Sequence, residues 1–591
     1  DAANIASSIH GVSAKTTPVD ADEVGLIDSA VSWVLKKLTW SNIKATLKAY
    51  FDDVYGAGNS YFSDYNETDQ GATGNGKSAK AYIDTIGTDS ATLVFRHNSG
   101  SATTTYTFST NETIPSNINV IIEKGAILSI DTGVTLTING PFEAGLYQVF
   151  SGDGSVAFGN GAVKEVYPQW WGAKGDGTTD DTTAIQAAID AAEVNGGEVV
   201  FPAGTYLVSN LVVDSDNVAL EGVGMRVTWL KAKSGTTGSI LSFSGVDLAN
   251  HIKFNRIKDL TIWGNSENVK GLNLNHVSLF RFDKVEITGC LDDALYCDEV
   301  FDSVFIQLVG RNNGASGKGA IHIYDGNEDN SNNLRFYAPH LESNTGYDIY
   351  IDSSGNNGNN NNILFHNAKI EESSGSGTKA VYVSGGGSND EIIFQSCRFI
   401  NYNDGNAIHW DSPGHSQILN CNFWNSTLGG TGIDLDNGRH QIFGNLFYNW
   451  SKEIDYSGVG NEKDVWMWGN RRQSADGRLN IVKSDGSSVW RKDIVHRGVV
   501  TFADGDTTPS VKLGSLFLTQ NTVATTITGF DDGSMGETIK IIFDDNNTTI
   551  DFTGTNLKGN TGADWTPSAG DHMTCVFDGT NWYCNVSDNT V

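Results

Sequence analysis

Between residues 250 and 460, apolar positions return in a six-residue frame, apolar at its first and last places. The frame falls at 257–262, 282–287, 301–306, 336–341, 365–370, 394–399, 418–423 and 442–447. Its starts lie 25, 19, 35, 29, 29, 24 and 24 residues apart. An Asn/Gly/Ser-rich stretch follows each frame, and then a second short run alternates apolar and polar residues. These runs are Leu272-Asn-Leu274, Ile321-His-Ile323, Ile349-Tyr-Ile351, Val381-Tyr-Val383, Ile408-His-Trp410, Ile433-Asp-Leu435 and Ile454-Asp-Tyr456. Alternation marks strands, and repeats of roughly 20–50 residues mark stacked units. The pattern predicts an all-β chain whose body is a right-handed parallel β-helix, one coil per repeat. Propeller blades need a longer and more regular period.

In such a coil an apolar row is buried while the coils above and below satisfy the backbone edges. Equivalent residues then stack at about 4.8 Å. Phe336, Phe365 and Phe394 should form an internal aromatic ladder, and Cys397 and Cys421 should share one slot on consecutive coils. Asn, Gly and Ser between frames suit tight corners.

The flanks read differently. Residues 1–58 form an N-terminal stem expected to be helical, with apolar residues three and four apart across 25–38 and 40–51. Residues 59–166 carry short β runs and form a small β head. The β-helix spans 167–488, opened by an amphipathic helix at 182–193 capped by Asp180 or Asp181. Residues 489–591 alternate in short runs and are expected to form an antiparallel β-sandwich.

Composition narrows the partners. A formal net charge of −31 without a basic stripe argues against nucleic acid. It would also repel anionic polymers except at local basic patches. No apolar run is long enough to insert in a membrane. No signal peptide is read at Asp1, and a chain beginning without Met reads as a trimmed fragment. Six cysteines make no disulfide framework and no metal spacing; whether Cys575 and Cys584, opposite each other across a hairpin, are bridged stays open. Gly71-Ala-Thr-Gly-Asn-Gly-Lys-Ser78 matches the P-loop letter for letter, but the polar stretch before it is not the buried strand a phosphate cradle requires.

One segment carries a resemblance. Gly172-Ala-Lys-Gly-Asp-Gly-Thr-Thr-Asp-Asp-Thr-Thr-Ala-Ile-Gln-Ala-Ala-Ile189, followed by Val199-Val-Phe-Pro-Ala-Gly-Thr-Tyr206, resembles the opening of the pectate-lyase-like β-helix of bacteriophage tailspikes. The head and the last module, with Asn581-Trp-Tyr-Cys584, are similar to phage tail modules. The resemblance implies a homotrimer in the virion tail, joined to tail or baseplate proteins through its N-terminus. It also implies action on host surface polysaccharide, extracellularly, and a role for the last module in trimerisation or glycan binding.

Outward ladder positions supply the candidate chemistry. Tyr337, His340, His366, Lys369, Glu371 and Arg398 form one set, with Glu342 beside them and Trp424 and Tyr448 as flat platforms. β-Elimination on an acidic polysaccharide needs a base such as Tyr or His and cations to neutralise the substrate carboxylate. This set makes a polysaccharide lyase the preferred reading. A solvated face of cross-strand ion pairs is the plain alternative. A second set lies on the second runs: Asp352, Asp411, Asp434 and Asp436, with Tyr350, Tyr382 and His409 for substrate, and His322 among them. Paired carboxyls there would suit an endo-glycoside hydrolase. A non-catalytic glycan receptor is the third reading. No cofactor is called for; a structural or substrate-bridging cation such as Ca stays open.

Overall fold

Alternation in each repeat becomes three short strands, and their apolar residues fill one continuous interior. The computed structural model describes residues 19, 23–28, 34–54, 60–63, 79–97 and 102–589, apart from 327, 356–357, 372–378, 403, 460–464, 474–478, 483–487, 492–498 and 513. Two compact units, residues 1–163 and 164–591, make up the chain.

The second unit carries the right-handed parallel β-helix. A first face contains strands such as Val304–Ile306, Arg335–Tyr337 and Asn361–His366. A second contains Val309–Arg311, His340–Glu342 and Lys369–Glu371. A third contains Leu295–Phe301, Gly319–Tyr324, Tyr347–Asp352, Lys379–Ser384 and Asn406–Asp411. Successive coils pair in parallel, as Phe305 with Phe336, Phe336 with Phe365 and Phe365 with Phe394. The expected ladder is present: ring centroids are 4.4, 4.7 and 5.1 Å apart along that column, with planes within 11° of parallel. A second column, Phe399, Phe423 and Phe447, stacks at 4.7 Å per step. Cys397 and Cys421 are both buried, and the Cys421 thiol is pushed up by burial and by Cys397 beside it. Helix Thr182–Glu193 buries Ile185, Ala188 and Ile189.

Register corrects one frame. Phe305, not Phe301, holds the first position of its coil, pairing with Phe282 and Phe336. The true frame therefore ends at Gly310, where an added Cβ would lie 2.9 Å from Leu341 Cδ2 and would require that side chain to shift. Lacking an apolar letter at its sixth place, that coil was matched four residues early.

Each frame also bends. Its third position takes a left-handed conformation at Asp259, Lys284, Gln307, Ala338, Asn367, Ser396 and Asn420, with φ between 50° and 57°. This corner separates the first face from the second inside the frame, so outward residues before and after it face different directions.

Three further expectations change. Residues 25–38 are not one helix: Glu23–Asp28 and Val34–Thr39 pair as an antiparallel hairpin, and helix Trp40–Val54 follows. Over so short a run, apolar spacing does not separate a helix from two strands. The head is a parallel solenoid too, since strands around residues 91, 118 and 142 pair in parallel, as do those around 104, 126 and 150 and those around 112, 135 and 155. The C-terminal region is a mixed sheet, not an antiparallel sandwich. Val500–Thr501, Leu516–Thr519 and Thr538–Phe543 pair in parallel, and His572–Phe577 runs antiparallel between Thr538–Phe543 and Trp582–Ser587. Alternation fixes which residues face inward and leaves strand direction free. Cys575 and Cys584 sit opposite each other in that last hairpin and are bridged. The P-loop-like stretch lies outside the described residues. No described helix is long and apolar enough to cross a membrane.

Candidate functional site

The first set of sequence candidates is divided by the corner. Tyr337 and His366 lie on the first face, 6.1 Å apart between ring centroids. His340, Lys369 and Arg398 stack on the second, with Glu342 and Glu371 in the adjacent column. There the charges neutralise one another. Arg226 and Arg311 both bind the buried Glu286, at 2.8 and 2.9 Å, and Arg311 reaches Glu342 at 3.3 Å. His340 Nε2 lies 3.2 Å from Glu342, and Lys369 is held by Glu371. Burial lowers the His340 pKa. Lysine and arginine meant to neutralise a substrate carboxylate thus already hold protein carboxylates, with the exposed Arg398 at the end of the set. Trp424 and Tyr448 do form a flat pair, 6.1 Å apart and within 2° of parallel.

The second set stays together and grows. On the third face Tyr296, His322, Tyr350, Tyr382, His409 and Asp434 occupy one outward column on successive coils. Alternation puts Leu295 and Cys297, Ile321 and Ile323, and their successors inside. The rings touch in series: Tyr296 edge-on to His322 at 5.0 Å, His322 on Tyr350 at 4.4 Å, Tyr350 on Tyr382 at 5.6 Å, and Tyr382 to His409 at 5.4 Å. Lys270 Nζ lies 3.6 Å over Tyr296, and Lys379 Nζ lies 3.8 Å over Tyr382.

Beside that column runs a second one, Asp298, Tyr324, Asp352, Ser384 and Asp411, with Asp436 on the next coil. Burial, helped by the neighbouring Glu299 charge, pushes the Asp298 carboxyl up to about 6. Its Oδ2 is 3.4 Å from Asn275 Nδ2, and its Oδ1 has no hydrogen-bond partner among the described residues. His322 sits between two carboxylates, with Nδ1 3.0 Å from Asp293 and Nε2 4.0 Å from Asp352. Asp293 is buried and accepts the Gly319 N–H at 2.7 Å. His409 repeats the arrangement with Asp434 at 2.8 Å and Asp436 at 3.5 Å. Burial raises the Tyr296, Tyr350 and Tyr382 phenols, so all three are hydrogen-bond donors at neutral pH. Burial also raises Asp436 and lowers Lys379.

Residues 169–434 match the rhamnogalacturonase A/epimerase, pectate lyase-like family. That span contains the opening motif, the coils up to residue 434 and most of the third face. Alginate lyase 7 of Azotobacter vinelandii is 45% identical over 114 residues, 17% of this chain and 13% of that one. The tail spike protein of Shigella phage Sf6 is 41% identical over 80 residues, 12% of this chain and 13% of that one. The chain therefore spans about an eighth of the length of these curated relatives. Among solved structures, ORF18 of Geobacillus virus E2 is similar over 72% of this chain and 76% of its own, at 21% identity and a TM-score of 0.42. The likeness to phage tailspikes and to pectate lyase-like β-helices thus stands in the sequence itself.

Two trios in the pectate lyase-like body bring ligand atoms within 4.8 Å of one another: His276, Glu299 and Glu328, and His340, Glu342 and Glu371. Lys369 already occupies the second of these. Sequence reading missed Lys270, Asp293, Tyr296 and Asp298. Leu295-Tyr-Cys-Asp298 alternates like its neighbours; extending the second-run column by one coil finds both Tyr296 and Asp298.

Proposed function

We propose that this chain is a tailspike-type depolymerase that hydrolyses a host surface polysaccharide along the third face. The observation that carries the reading is Asp298, a carboxyl that keeps its proton to about pH 6 beside a column of donors and aromatic rings. Glycoside hydrolysis needs one protonated and one ionised carboxyl. Asp298 donates its proton to the glycosidic oxygen as the C1–O bond breaks. Asp352 takes a proton from the water that bonds to C1, leaving a new reducing end. Asp298 and Asp352 lie two rungs apart on the backbone, roughly 9.6 Å, near the separation typical of inverting enzymes, about 6.5–9.5 Å. His322 lies beside Asp352, with Nε2 4.0 Å away, and Asp293 orients His322. The tailspike and alginate lyase relatives and the matching family support a polysaccharide as substrate. The homotrimer in the virion tail, acting at the host surface, belongs to the same reading.

β-Elimination is the second reading, favoured by the unbonded His322 Nε2 and by the alginate lyase relative. Raised tyrosine pKa values weigh against it, since a phenol so held is a poor base. Product analysis separates the two: hydrolysis releases reducing ends without the absorbance of an unsaturated uronate. That absorbance in the products would replace the hydrolytic mechanism with elimination.

The rate should also follow the Asp298 proton. Its raised pKa means the acid is in place below about pH 6 and is lost as pH rises through that value. kcat/KM is expected to fall about tenfold per pH unit above that point. A flat profile from pH 5 to about 8 would remove Asp298 from the role of acid.

A further inference from the structure

The charge of the third face restricts what can lie along it. Among the described residues its lysines are engaged: Lys318 binds Asp292 at 2.6 Å, Lys452 binds Asp455 at 2.8 Å, and Lys270 and Lys379 rest on tyrosine rings, Lys379 within the field of Asp411, Asp434 and Asp436. Asp352, Asp411, Asp434 and Asp436 remain; His322 and His409 lie beside three of them, and Asn406 donates to Asp434 at 2.6 Å. Asp411 and Asp436 are exposed. The whole chain adds its net charge of −31 to this local field. A polyuronate or sulfated chain laid here would set its own charges against a row in which aspartates outnumber Lys270 and Lys379, both already engaged over tyrosine rings, and like-charge repulsion makes that unfavourable. Sugar hydroxyls are the complementary partners: carboxylates accept their hydrogen bonds strongly, and the Tyr/His column offers flat faces to apolar sugar C–H edges.

We infer that the third face takes an uncharged, hydroxyl-rich polysaccharide and rejects polyanionic ones. The inference rests on the third face being the substrate site, and it parts this chain from the alginate named in its lyase relative.

The test is a panel of immobilised neutral, amino-bearing and uronic or sulfated oligosaccharides, probed with the full chain at low and high ionic strength. Neutral glycans should bind with little salt dependence, and polyuronates should not bind at low salt. In Asp411→Lys/Asp436→Lys, polyuronate binding should appear at low salt, tighter by about tenfold or more, and weaken as salt screens it. Tyr350→Ala and Tyr382→Ala should each weaken the neutral hits. If wild-type protein binds polyuronates more tightly than neutral glycans at low salt, or if amino-bearing glycans alone bind, the charge argument is overturned while the site stands. If neutral binding ignores both tyrosine substitutions, or no class binds, the site itself fails and the inference falls with it.

Discussion

Asp298→Asn is expected to slow polysaccharide cleavage by about 10²–10⁴-fold, the usual contribution of a positioned general acid. The amide has the shape of the carboxyl and no proton to give. Because burial already disfavours the charged form of Asp298, replacing it with a neutral amide creates no new buried charge. The fold should be retained and glycan binding should change little. The comparison to make is therefore cleavage against binding: reducing-end release by the variant, beside its retention in a gel containing the same polysaccharide. Asp352→Asn should show the same pattern. Loss of cleavage together with loss of binding would mean that Asp298 positions substrate and transfers no proton. Undiminished cleavage would send the search for the acid back to Asp411 and Asp436.

The largest effect on stability is expected inside the aromatic column. Phe365 is fully buried between Phe336 and Phe394, 4.7 and 5.1 Å away between centroids. Phe365→Ala removes the ring from both contacts and leaves a cavity that two flanking coils can close only by breaking the backbone ladder. A loss of about 3–5 kcal/mol is expected, read as a shift in denaturant midpoint at unchanged slope. Phe365→Leu, which restores much of the volume, should recover part of it. A midpoint unmoved by Phe365→Ala would mean that the coils are held by backbone pairing alone.

Much of this was legible in the sequence, because the β-helix places residues one repeat apart in direct contact. Spacing alone aligned Tyr350 with Tyr382 and His409, Asp352 with Asp411 two rungs on, and Trp424 with Tyr448. What failed did so where a residue's letter hides its role. Gly310 fills an interior slot that an apolar pattern looks for, and its coil was misplaced for that reason. Lys284, Gln307 and Ala338 adopt left-handed corners that Asn or Gly would have announced; without that warning, Tyr337 and His340 looked like neighbours on one surface. Electrostatics were the least legible. Lys369 reads as an available cation in the sequence, and the structure pairs it with Glu371. The raised pKa of Asp298 depends on burial that no single letter carries.

The uneven repeat has a consequence for how such a protein can change. First-position phenylalanines follow one another after 31, 29 and 29 residues from Phe305 to Phe394, and then Ile418 and Ile442 after 24 and 24, while the rungs stay evenly spaced. Extra residues are therefore absorbed in the loops at the coil edges and never reach the interior. Insertions there can reshape the rim without asking the spine to refold, which lets the outer surface diversify while the scaffold stays constant.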